Sequence, residues 1–178
     1  NKGFSRICGD ILVWLNSDDY LHDERVLERV AMRFDAPDQP DIVYGRGIYV
    51  NEEGEFLRDA YVNPDPSTLP WRLQQEAGIM QPALFLRRRV VEEVGLLSLN
   101  RHYCMDYEYW VRCIRAGFKF TFVDDNFAVA RYHLSNKTYG ERDKSYPDVC
   151  DMLVEQFGYA NHVWLRRFAE YLTEGFDG

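Results

Sequence analysis

The sequence predicts an α/β fold. Short apolar runs of strand length alternate with segments of helical spacing, and turn-forming residues punctuate the junctions between them. With 178 residues, 46% hydrophobic and 15% aromatic, the chain can build one ordinary core and is not a disordered or low-complexity chain.

The first strand is Asp10-Ile11-Leu12-Val13-Trp14-Leu15, a nearly continuous apolar run of the kind buried on both faces of a sheet. It stops at the acidic turn Asn16-Ser17-Asp18-Asp19. A helix follows from Asp23, with Val26, Leu27, Val30, Ala31 and Phe34 on one face and Asp35-Ala36-Pro37 as its stop. Residues 41–50 read as a second strand, which Asn51-Glu52-Glu53-Gly54 turns into a hairpin with Phe56-Leu57-Arg58. Residues 63–67 are loop, and Ser67 is the expected cap of a short helix reaching Leu73.

Ala83-Leu84-Phe85-Leu86 reads as a strand, and residues 89–94 as a short helix stopped by Gly95. Residues 106–116 have helical spacing, with Gly117 closing the helix. Two separate strands are expected at 118–123 and 128–132. Two amphipathic helices, 146–157 and 160–172, then form an appended cap. Phe157, Tyr159, Trp164, Phe168 and Tyr171 recur on them at near-helical spacing and are expected to form core between these helices and the sheet.

The charge excludes some functions. With 29 acidic against 21 basic residues and a net charge of −8, the chain lacks the basic field that a nucleic-acid binder needs. No apolar run is long enough to span a bilayer. The four cysteines are scattered, without a CxxC pair, so neither a zinc site nor a disulfide framework is expected. The same cysteine usage makes a reducing cytoplasm the expected location, with peripheral attachment to the inner face of the membrane compatible.

Open α/β sheets bind ligands beyond the C-terminal ends of their strands, which is where Asp18 and Asp19 fall. Their hard oxygens suit Mg²⁺ or Mn²⁺, and a cation would relieve the repulsion between them. A solvated loop, or a cap for the following helix, explains the same two residues, so the turn alone does not decide.

Other segments do. Asn1-Lys2-Gly3-Phe4, Gly9-Asp10-Ile11 and Leu15-Asn16-Ser17-Asp18-Asp19 resemble the central motif of inverting family 2 glycosyltransferases of the GT-A fold, with Asn16 where Asp is commonest. Tyr44-Gly45 resembles that family's "V-Y-G" strand end. Gln81-Pro82-Ala83-Leu84-Phe85, Arg87-Arg88 and Glu92-Glu93-Val94-Gly95 resemble its acceptor-side segment. The stretch from His102 through Asp106 to Arg112 resembles "H-Y-x-M-D-Y-[DE]-x-W-L-R". Arg131-Tyr132-His133 with Asn136-Lys137-Thr138 resembles "R-x-H-x-x-S-K-T". The order and spacing of these pieces make the resemblance specific.

The resemblance implies a partial GT-A, Rossmann-like mixed sheet flanked by helices over residues 1–138, with a helical extension over 139–178 packed on it. It implies metal-assisted transfer, with inversion, from a nucleotide-diphosphate sugar (UDP-linked as first choice) to a glycan or lipid-linked acceptor. Asp106 would be the base. Asn16, Asp18, Asp19 and Lys137 would hold the donor, Asp19 and His133 the metal, and Gln81, Arg87 and Trp110 the acceptor. The family's nucleotide-binding half would lie upstream of Asn1, leaving an exposed sheet edge open to homo-oligomerisation.

The residues alone leave rivals. Asp106 can cap its helix, and Trp110 can be core rather than a floor under a sugar. Glu108 sits four residues before Arg112, the spacing of a surface ion pair. An inert folded or oligomerised fragment is the alternative function. A metal-dependent nucleotidyltransferase fits less well, because the Gly-rich basic phosphate loop of that class is not found near the start of the chain.

Overall fold

A computed structural model describes residues 1–132 and 141–174. In chain order the elements are β1 (Ile11–Val13), β2 (Tyr20–Leu21), α1 (Val26–Phe34), β3 (Ile42–Val50), β4 (Phe56–Asp59), α2 (Leu69–Arg72), β5 (Leu84–Arg87), α3 (Arg88–Val94), α4 (Met105–Arg115), β6 (Phe120–Arg131), α5 (Arg142–Phe157) and α6 (His162–Glu174). The strands form one mixed sheet in the order β1-β5-β3-β6-β2, with β4 also paired to β3. β3 and β6 run parallel, and the other pairs are antiparallel.

β3 is the central strand because it has neighbours on both sides: β6 along its whole length, and β5 then β4 along the other. Ile42, Val43 and Tyr44 are accordingly fully buried. Each such side chain contributes about 1.5–3 kcal/mol relative to exposure. The Tyr44 hydroxyl donates to the Asn63 carbonyl at 2.8 Å, so the buried ring keeps a partner for its one polar atom.

The two strands expected at 118–123 and 128–132 are one bent strand. Val123 pairs with Gly45 but Asn126 with Arg46, so Asp124 and Asp125 are displaced at a bulge. Close approach at this bend explains the glycines opposite. A Cβ on Gly45 would meet the Asp125 carbonyl oxygen at 2.8 Å, and one on Gly47 would meet that of Ala128 at 2.6 Å.

β1 also departs from expectation. It is three residues long and half-buried rather than buried on both faces. The reason is its place at the edge of the sheet: it pairs with β5 alone, and no strand among the described residues covers its other side. The short helix after residue 65 is capped by Asp65, whose carboxylate accepts from the Ser67 N–H at 3.0 Å, and not by Ser67.

The expected aromatic cluster of the last two helices forms against α4 rather than against the sheet. Tyr146 stacks with Trp164, Phe168 and Tyr171 at 6.3, 5.9 and 5.8 Å, and Trp164 meets Tyr107 at 5.8 Å. Tyr159 is exposed instead. Val149, Met152 and Leu153 of α5 join the main core. All four cysteines are free, and burial pushes the Cys113 thiol up to about 12, which leaves it inert. Among the described residues no helix is long and apolar enough to cross a membrane.

Candidate active site

The acidic turn connects β1 to β2, so it does not cap a helix. The turn before α1 is held instead by Asp23, which accepts from the Arg25 N–H at 2.8 Å and binds both Arg29 guanidinium nitrogens at 3.0 and 2.8 Å. That removes the capping explanation for Asp18 and Asp19. Asn16 donates through Nδ2 to Asp19 Oδ2 at 2.9 Å and to Gln81 Oε1 at 3.0 Å. Gln81 in turn donates to the Trp14 carbonyl.

Gln81 reaches the turn because it opens the short 3-10 turn Gln81–Ala83 that leads into β5, and β5 lies beside β1 with Val13 opposite Phe85. The structure thus joins Gln81, expected on the acceptor side, to the turn expected to hold the donor. The carboxylates of Asp18 and Asp19 and the exposed face of the turn suit a divalent cation that keeps waters and shares a substrate's phosphates. Among the described residues no three His, Cys, Asp or Glu side chains gather into a metal cage. His133 and Lys137, the other expected metal and donor ligands, lie outside the described residues.

Asp106 lies in the first turn of α4, in the wall of a cavity of about 410 Å³ enclosed by α4, α5, α6 and residues 77–79. Tyr103, Tyr107, Trp110, Tyr146 and Trp164 form its aromatic walls, and Arg142 and Arg167 reach it from the last two helices. Desolvation pushes the Asp106 carboxyl above its ordinary value of 3.8, against hydrogen bonds from backbone N–H groups including that of Tyr107 at 2.8 Å. The helix N-terminus alone would predict the opposite sign, so here burial outweighs the dipole. A raised pKa strengthens a carboxylate as a proton acceptor.

The holding role that Asp106 could have filled belongs to Asp148 of α5. Its Oδ2 accepts from the backbone N–H groups of His102, Tyr103 and Cys104 at 3.2, 2.9 and 3.3 Å, and Oδ1 pairs with Arg101 at 3.2 Å. Burial raises the Asp148 pKa, but these donors more than offset it, and the carboxyl sits below its ordinary value. The entry to α4 is therefore fixed by a residue more than forty positions away.

Three other expectations change. Arg87 is not at the site: it ends β5, donates to the Pro40 and Phe34 carbonyls at 2.9 and 2.7 Å, and stacks on Phe34. It ties the end of α1 to the start of β3. Trp110 is 1% exposed, a core residue that also lines the cavity rather than an open platform. Glu108 is buried, not a surface partner; it binds Arg112 at 2.7 and 3.1 Å while Arg112 also donates to the Val94 and Leu96 carbonyls.

Sequence reasoning missed Asp148, which holds the loop before α4, and Arg167 in the cavity wall. The Arg166-Arg167 pair was the one local signal, and it reads equally well as a solvated helix face.

The family model for glycosyl transferase family 2 matches residues 1–95, more than half of the chain. Among curated relatives, the amylovoran biosynthesis glycosyltransferase AmsB of Erwinia amylovora is 22% identical over 81% of this chain and 48% of its own length. The PGL/p-HBAD biosynthesis glycosyltransferase of Mycobacterium bovis is 27% identical over 64% of this chain and 41% of its own. The chain thus spans less than half the length of these relatives.

Solved structures share the fold. S. aureus TarS in complex with UDP-GlcNAc superposes with a TM-score of 0.62 at 13% identity, covering 97% of this chain and 52% of that one. The mannosyltransferase PcManGT from Pyrobaculum calidifontis, in complex with GDP-Man and Mn²⁺, gives 0.51 at 12% identity, covering 97% and 48%. The mixed sheet and its helices are of the GT-A type. With its first 95 residues matched by the family model, the chain belongs to glycosyl transferase family 2.

Proposed function

We propose that this chain carries the acceptor side and part of the donor side of an enzyme that moves a sugar from a nucleotide-diphosphate donor to a glycan or lipid-linked acceptor, with inversion. The observation that carries the reading is Asp106: a carboxylate of raised pKa in the wall of an aromatic cavity large enough for a sugar ring. Residues 77–81 join that cavity to the acidic turn, since Ala77 and Ile79 line it and Gln81 binds Asn16.

In this reading the acceptor hydroxyl lies against Asp106. The carboxylate takes its proton while the hydroxyl oxygen attacks the anomeric carbon and the bond to the diphosphate oxygen breaks; a single displacement inverts that carbon. The aromatic walls exclude water from the reacting centre. Asp18 and Asp19, with Asn16 orienting Asp19, would hold a divalent cation and through it the diphosphate end of the donor. Bound Mn²⁺ or Mg²⁺ would supply Lewis-acid stabilisation of the departing diphosphate.

UDP-linked donors are the first to test, since TarS is solved with UDP-GlcNAc. The names of AmsB and the mycobacterial relative, both biosynthesis glycosyltransferases, favour a biosynthetic role. The uncovered side of β1 offers a place for another strand, from further chain or from a second copy.

Calorimetry of the full-length protein with UDP and Mn²⁺ tests the donor side. Binding should require the metal and weaken about tenfold or more in Asp19→Ala. Absence of binding at millimolar UDP, or metal-independent binding that ignores Asp19→Ala, refutes the reading.

A further inference from the structure

A second cavity, of about 580 Å³, adjoins the one that holds Asp106. The two share Ala77, Ile79, Trp164 and Arg167 in their walls, so they meet along one boundary. Beyond that boundary lies Tyr61, whose ring is 60% exposed and whose hydroxyl is anchored to Glu76 at 2.6 Å. An exposed aromatic ring held by its polar end is a ready stacking surface for the apolar face of a sugar.

Arg167 stands at the junction. Its guanidinium lies 5.2 Å from the centre of the Trp164 ring, and no carboxylate among the described residues pairs with it. Its neighbour Arg166, one position away, pairs with Glu170 at 3.5 Å. In a chain with 29 acidic against 21 basic residues, a half-buried arginine without an acidic partner is out of keeping with the overall charge. The junction therefore offers a cation that suits a negatively charged group on a ligand.

We propose that the two cavities form one groove for an extended anionic glycan acceptor, with the reacting unit at Asp106, an acidic group of the acceptor at Arg167 and the preceding unit on Tyr61. This rests on the acceptor-side reading given above and adds the charge and length of the substrate. The shared chemistry is an anionic group on a sugar or polyol chain, either carboxylate or phosphate.

The full-length protein is titrated with three probes of matched length: a hyaluronan tetrasaccharide, a glycerol phosphate tetramer and neutral chitotetraose. One of the two anionic probes should bind at least about tenfold tighter than chitotetraose, and Arg167→Gln should abolish that advantage. Tyr61→Ala, at an exposed position, should weaken the tetramer but not the matching monomer, glucuronic acid or glycerol phosphate. Equal affinity for all three probes, binding of none, or an advantage that survives Arg167→Gln overturns the proposal. Equal loss for monomer and tetramer in Tyr61→Ala overturns its extended part. Metal-dependent UDP binding is measured alongside in Arg167→Gln. If wild-type protein binds UDP but shows no anionic preference, this inference alone fails; if wild-type protein binds no UDP, the donor reading fails instead.

Discussion

The acidic turn hangs from a three-residue edge strand and is steadied by two side-chain amides, Asn16 and Gln81. Asp106 sits instead where three helices close over a cavity, in front of a loop held by three backbone N–H groups on one carboxylate. The first region is open to solvent and the second is enclosed. The difference appears in the carboxylates. Asp106 is pushed up by desolvation, whereas Asp148, close by in the fold, is held down by its donors. One is desolvated in the cavity wall, and the other is held by backbone and arginine donors.

The largest effect tests that division. Asp106→Asn in the full-length protein should cut transfer by about a thousandfold, with UDP affinity changed less than twofold. Because the folded pKa of Asp106 lies above 3.8, the folded state holds this proton more tightly than the unfolded one. The ionised carboxylate then costs stability progressively as pH rises from the unfolded value through the folded one. Asp106→Asn should therefore raise the melting temperature at about pH 7, and the gain should vanish below about pH 4. Transfer that survives the change, or a melting point lowered at neutral pH, would mean that Asp106 is a structural residue.

Asp148→Ala is the opposite experiment, with a somewhat smaller effect. It strands three N–H groups and Arg101, and should cost about 3 kcal/mol in urea denaturation at neutral pH. Here the folded pKa lies below 3.8, so the stabilisation is present above the unfolded value and is lost as pH falls through the folded one. The gap between wild type and variant should narrow in melts below about pH 3. A gap that widens with acid would contradict the role assigned to Asp148.

What was legible in the sequence was local. The β3–β4 hairpin, the α3 and α4 helices and the stops at Gly95 and Gly117 follow from spacing and turn chemistry within a few residues. Motif order also singled out the acidic turn and Asp106, whose proposed roles rest on the experiments above. What was not legible depends on partners far away in the chain. The half-burial of β1 is decided by the strand it lacks, and the single bent β6 by the crowding of Gly45 and Gly47. Arg87 looked available because its acceptors, the Phe34 and Pro40 carbonyls, lie some fifty residues upstream. The cavity needs α5 and α6 folded back over α4, and an amphipathic pattern states that a face is covered without naming what covers it.

Gln81 is where the two regions meet, and the smallest predicted effect decides to which of them it belongs. Motif resemblance puts it with the acceptor; its hydrogen bonds to Asn16 and to the Trp14 carbonyl put it with the donor turn. Gln81→Ala removes those two bonds at a partly exposed site, a loss of about 1 kcal/mol. If its work is to steady the turn, UDP affinity should fall about fivefold, while the acceptor KM and the acid limb of the pH–rate profile stay fixed. An unchanged UDP affinity with a raised acceptor KM would return Gln81 to the acceptor side. The strut from cavity to turn would then end at Met80, and the two regions would have to be aligned by the sheet alone.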